Sequence, residues 1–233
     1  MPCRDPSGHL ECNSMKFEVT RLSLTTAEGD ALAYRHYRVA QEPEGLAILL
    51  PGVHYGPDGP LLFYPAAALR EAGWDTLQLT YRFQRDILDF DPATLMTVVE
   101  DCRNAVSAGL AQRSYGKLIY LGKSLGAGVE ALLCAEGSVG IPTRAVYFTP
   151  PIGMPIFDPF FGRTPQPAHI ILGTGDRFYD EDALARLRQA RPFGLTLVEG
   201  ADHAMIIPGD LDGSIRVLRR TTQETLAFCI GEK

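Results

Sequence analysis

The chain has 233 residues, 45 % of them apolar and 21 % charged, with a formal net charge of −6. This is ordinary globular composition with material for a large core. An acidic balance, with no basic run longer than the pair Arg219 and Arg220, gives no footprint for nucleic acid or an anionic membrane, so neither is expected as a partner.

No apolar stretch reaches the ~18 residues that a bilayer span needs, so no membrane insertion is expected. Residues 1–14 are polar and lack the apolar segment of a secretory signal. They read as a loose arm ahead of a single domain over 15–233, placed in the cytoplasm. The five cysteines, Cys3, Cys12, Cys102, Cys134 and Cys229, are scattered and form no CxxC couple. Reduced thiols are expected rather than a zinc site, and no metal or other cofactor is implied.

The first structured piece is strand-like. Phe17–Thr25 alternates in polarity, a short loop carrying Ala27, Glu28, Gly29 and Asp30 turns the chain, and Ala31–Val39 returns, as in a β-hairpin. From Gly45 the pattern changes. Leu46–Leu50 is a continuous apolar run, expected of a strand covered on both faces in a parallel sheet. Residues 60–72 suit a helix, with Pro65 tolerable only near its first turns. Residues 75–81 are strand-like. Residues 92–112 place Leu95, Val98, Val99, Cys102, Val106 and Leu110 at helical spacing, with Asp91 as N-cap.

A short strand over 117–121 leads into a helix over 125–136, and strands follow at 145–148 and 169–172. An amphipathic helix spans 180–190, starting near Asp180 or Glu181. The last strand is 195–198 and the closing helix 214–230, with Ile215, Leu218, Leu226 and Cys229 on one face. Strand and helix alternating through short connections predict a mostly parallel sheet between two helical layers, preceded by antiparallel strands. The long irregular stretch 149–167 is too short for a cap domain; it reads either as a lid or wall over a pocket or as a structural Ω-type loop.

The strongest chemical signal is Gly122-Lys123-Ser124-Leu125-Gly126, between an apolar strand and a helix. A serine at a tight strand-to-helix turn projects its hydroxyl out of the sheet, and small residues on either side let strand and helix close. Gly-Lys-Ser also ends a phosphate-binding loop, but Gly116 is one residue out of register for it and 117–121 is strand. Lys123 itself is expected to face solvent, as surface lysines do.

A serine nucleophile needs a base, and His203 follows the last strand at the same sheet edge. His9 lies in the arm, His36 in the hairpin, and His169 at the wrong end of a strand. Asp176, in Gly173-Thr174-Gly175-Asp176, follows the preceding strand and is the expected orienting acid; Asp180, Asp202 and Asp158 are competitors. The amide of Leu125 and that of Val53, in the Gly-rich loop 51–60, are the expected oxyanion donors. His54, Tyr55, Tyr81, Arg82, Met154 and Phe157 are expected to contact substrate, with Phe83 also on the rim.

Together the elbow 122–126, the acid turn 173–176 and the base turn Gly200-Ala201-Asp202-His203 resemble the α/β-hydrolase superfamily, in order and spacing, over about 17–230. The chain is similar to its compact, uncapped branch of dienelactone-hydrolase-like and small carboxylesterase proteins. The oxyanion loop begins Pro51-Gly52 instead of His-Gly, and Ser124 stands where true dienelactone hydrolases carry cysteine. The resemblance implies a three-layer α/β-hydrolase fold without a cap domain. It also implies a serine hydrolase acting on a small-molecule ester with a short acyl chain, through an acyl-enzyme on Ser124. Thioesterase or amidase chemistry on the same fold, or a non-catalytic binding module, are the alternatives.

Overall fold

A computed structural model of the chain describes residues 17–25, 31–81, 92–137 and 140–231. The arm expected over 1–14, the hairpin turn, Arg82, Phe83 and the Asp91 cap lie outside the described residues.

Eight strands form one sheet in the order β1-β2-β4-β3-β5-β6-β7-β8. Strands β1 (Phe17–Thr25) and β2 (Ala31–Val39) pair antiparallel from Phe17↔Val39 to Thr25↔Ala31. β2 runs antiparallel to β4 (Asp75–Gln78), and all later pairings are parallel. β3 (Leu46–Leu50), β5 (Leu118–Lys123) and β6 (Thr143–Phe148) form the centre, followed by β7 (Ala168–Gly173) and β8 (Gly194–Val198). Their apolar runs have no polar face because both faces are covered.

Side-chain alternation sorts the core into two layers. Leu46, Ile48, Leu50, Leu118 and Tyr120 pack toward α2 (Pro92–Leu110), α3 (Leu125–Ala135) and α5 (Glu181–Ala190). Ala47, Leu49, Ile119 and Leu121 pack toward α1 (Pro60–Glu71) and α6 (Leu211–Ile230). After β3 the chain moves one way to β4, then crosses back to pair β5 on the other side of β3. The loops leaving β3 and β5 therefore diverge from a common crevice, where open α/β sheets place their ligands.

Several elements differ from the sequence expectation. β4 stops at Gln78: the Leu79 amide still donates to Leu49, but Tyr81 then turns into the core beside Leu95. α1 keeps Pro65 in its second turn, where the ring removes the one bond an amide there would give to the Leu61 carbonyl. α6 starts at Leu211, since Asp210 accepts from the Gly213 amide and caps it. The stretch 149–167 contains a short helix, α4 (Asp158–Phe161), and its Phe157 and Phe161 are buried in the core. No helix among the described residues is long and apolar enough to cross a membrane.

One of the tightest contacts lies at the start of α3. A Cβ on Gly126 would stand 2.0 Å from the Leu50 carbonyl oxygen, a backbone atom that cannot swing away. Around Gly116, by contrast, a Cβ would meet nothing within 4 Å. Gly126→Ala should cost about 3 kcal/mol, as overpacking against fixed atoms does, and Gly116→Ala about 0.5 kcal/mol or less. Urea denaturation of the two variants checks the contrast.

Candidate active site

The nucleophile turn is built by close approach. Ser124 has φ 55° and ψ −115°, a left-handed conformation that costs a non-glycine residue about 1–3 kcal/mol. It is held there by its own amide donating to Phe148 and its carbonyl accepting from Ala127 and Gly128. Gly122 is required because a Cβ would strike Ala127 and the Glu130 carboxyl. Leu125 is the first residue of α3, so its amide has no partner within the helix and lies beside the serine.

Asp176 and His203 come from the loops after β7 and β8. A Cβ on Gly173 would stand 2.0 Å from the Ala201 carbonyl oxygen, so the loops after β7 and β8 pack backbone to backbone. Gly175 donates to Ala201 (2.9 Å) and Gly200 donates to the Thr174 hydroxyl (2.8 Å). The Asp176 carboxylate is buried, accepts from the Phe178 amide, and has both oxygens within 2.9 Å of His203 Nδ1. A carboxylate only accepts, so Nδ1 carries the proton and Nε2 presents a lone pair. Nε2 lies 2.9 Å from Ser124 Oγ. The Phe178 ring meets the imidazole edge-on at 5.1 Å, a contact that nothing in the sequence announced.

The competing acids have other tasks. Asp202 accepts from the amides of Ala204 and Ile206 and shapes the turn that carries His203. Asp180 caps α5 through Ala183, and Asp158 accepts from the Gly153 amide. Of the other histidines, His36 is buried against the Tyr115 hydroxyl and His169 bonds Thr196.

The loop after β3 packs directly on Ser124. A Cβ on Gly52 would lie 3.1 Å from the Lys123 carbonyl and 3.2 Å from Ser124 Cβ. Gly52 and Tyr55 exchange backbone hydrogen bonds, closing a tight turn that presents Val53 and leaves His54 exposed with φ 55°. Tyr55 is half-buried: its hydroxyl accepts from the Leu61 amide, and burial raises its pKa to about 12.

Three expectations need correction. Tyr81 and Phe157 are buried in the core and cannot line a rim; the Phe157 ring fills the space above Gly128. Met154 stays partly buried against the same core. Lys123 does not face solvent. It continues the β5 alternation of Ile119 and Leu121, so it points to the α1/α6 side, where it is 1 % exposed with Nζ 5.2 Å from the Tyr55 ring centre. That alternation was readable in the sequence. Burial lowers the ammonium pKa to about 7, against the opposing pull of Asp176 and Asp202. On the other side of β5, burial pushes the Glu130 carboxyl well up, only partly offset by the Gly122 and Val146 amides.

This architecture, with its sheet order and a serine at the β5–α3 turn, is the α/β-hydrolase fold in its uncapped form. No family model and no curated protein matches the sequence. Solved structures do. An α/β serine hydrolase homologue from Coxiella burnetii is 17 % identical at TM-score 0.68, over 88 % of this chain and 96 % of that one. A lidless α/β serine hydrolase from Xanthomonas campestris is 20 % identical at TM-score 0.66, over 90 % and 94 %. An esterase from Pyrococcus furiosus is 17 % identical at TM-score 0.66, over 99 % and 97 %.

The buried lysine gives a pH signature. Its folded pKa of about 7 lies below the ordinary 10.5, so the unfolded chain binds a proton that the folded one refuses across that interval. The cost of burying it is complete below about pH 7 and shrinks as pH rises toward 10.5. Lys123→Met should therefore raise the melting temperature relative to wild type more at pH 6 than at pH 9. Thermal denaturation at the two pH values checks the sign.

Proposed function

We propose that the protein is a serine hydrolase that cleaves carboxylic esters with small or short-chain acyl groups. The observation that carries this reading is the hydrogen-bonded chain from Ser124 Oγ to His203 Nε2, and from Nδ1 to Asp176. Ser124 Oγ attacks the ester carbonyl as His203 takes its proton. Asp176 holds the imidazole tautomer and stabilises the imidazolium. The Leu125 and Val53 amides hold the oxyanion, each such donor being worth about 10²–10³ in rate. His203 then returns its proton to the leaving alcohol oxygen and activates water against the acyl-enzyme.

The lidless fold supports a small acyl group: in 149–167 only α4 is helical, and Phe157 and Phe161 draw that stretch into the core instead of over the serine. His54 and Tyr55 flank the entrance from the oxyanion loop. The esterase named among the structural neighbours has the same fold, which is consistent with this chemistry.

Ser124→Ala should lower kcat for p-nitrophenyl acetate by about 10⁴-fold or more, with the melting temperature within a few degrees of wild type. A fluorophosphonate probe should label Ser124 in the wild-type protein. Turnover by Ser124→Ala at the wild-type rate overturns the assignment, and an unlabelled wild-type serine favours the binding-module reading.

A further inference from the structure

A groove of about 580 Å³ lies between the loop after β3, the first turn of α1, the loop that follows His203 and the start of α6. Its volume is that of a small-molecule site. Tyr55 and Leu61 form one wall. Ile206 forms the near end, and Leu211, Ile215 and Leu218 form a stripe at helical spacing along α6. Ile206 is 49 % exposed, Leu211 76 % and Ile215 57 %, so three of the eight large apolar side chains exposed among the described residues surround one hollow.

The polar groups around the groove are already engaged. The Tyr55 hydroxyl accepts from the Leu61 amide. Asp210 caps α6, and the Ser214 hydroxyl is bonded to the backbone of Ile207 and Asp210. What the surface offers a ligand is apolar contact.

Its position relative to the histidine selects which part of a substrate enters. The group that His203 protonates is the leaving oxygen, so the alcohol portion departs on the imidazole side of the tetrahedral carbon. Ala204 and Met205, the next residues along the chain, line the groove. Tyr55 lines it as well, and its ring packs on Lys123, the residue before the nucleophile. The hollow is thus walled by the two loops that carry Val53 and His203.

We propose that this groove binds the alcohol portion of the substrate, and that the preferred esters join a short acyl group to an extended, uncharged apolar alcohol. The inference rests on the esterase reading above and gives its substrate class.

The test compares acetates of lengthening alcohols (ethyl, butyl, hexyl, octyl) with ethyl esters of lengthening acids, followed by pH-stat, beside p-nitrophenyl acetate. Each methylene fully buried is worth up to about fourfold in kcat/KM. Octyl acetate should exceed ethyl acetate by tenfold or more, while ethyl octanoate should gain nothing over ethyl acetate. Ile215→Glu and Ile206→Ser, both at exposed positions, should bring the octyl-to-ethyl ratio of the acetates toward one, with melting temperature and circular dichroism verifying the fold. A flat alcohol series in wild type overturns the groove assignment, as does a ratio that survives both substitutions; p-nitrophenyl acetate turnover lost only in Ser124→Ala then leaves the esterase reading standing. If wild type hydrolyses no ester at all, both fail together.

Discussion

Gly126 has no room for a side chain, and the geometry around the serine follows from that. With its Cα pressed toward the Leu50 carbonyl, α3 begins directly over the end of β3, and the chain between β5 and α3 has only one residue in which to turn. That residue, Ser124, is forced into a left-handed conformation and lifts its hydroxyl above the sheet edge. The same closeness lets Gly52 rest on Ser124 Cβ, bringing the loop with Val53 to the helix N-terminus. The strain at one serine is borne by a crowd of backbone atoms, none able to move without opening the sheet.

The surroundings of that turn are unusual in their charges. Lys123 lies below the turn on the α1/α6 side, and Glu130 faces Gly122 on the other. Lys123 projects from one face of β5, Glu130 reaches toward the other from α3, and each is driven toward its neutral form by burial. Lys123 keeps a residual attraction to Asp176, and its contact with Tyr55 ties the nucleophile strand to the oxyanion loop. With its pKa lowered to about 7 by burial, the lysine loses its charge as pH rises through the neutral range.

Most of the sheet order of elements was legible because β-strands buried on both faces are short apolar runs and the helices between them are amphipathic. The elements misjudged share a cause. The closing helix was expected from 214, yet Asp210 caps it and Gly213 sits inside its first turn. Tyr81 and Phe157 looked available because one ends an expected strand at the site edge and the other lies in an irregular stretch, but a large ring there gains more by packing beneath a helix than by waiting at a rim. Lys123 was misplaced because charge outweighed strand parity in the reading; in the folded chain the parity prevails, since β5 cannot turn one residue to the other face without breaking register.

From residue order alone came the layered sheet, the serine turn and the two later loops bearing Asp176 and His203, because each is a local pattern of spacing, polarity and glycine. Distances across loops are not local. That Nε2 lies 2.9 Å from Oγ, that Asp202 shapes a turn instead of orienting a ring, and that an apolar hollow opens next to the imidazole all depend on how the loops after β3, β7 and β8 settle on one another. The contact of His203 with Ser124 joins residues 79 positions apart, and only the packing of the whole sheet sets it.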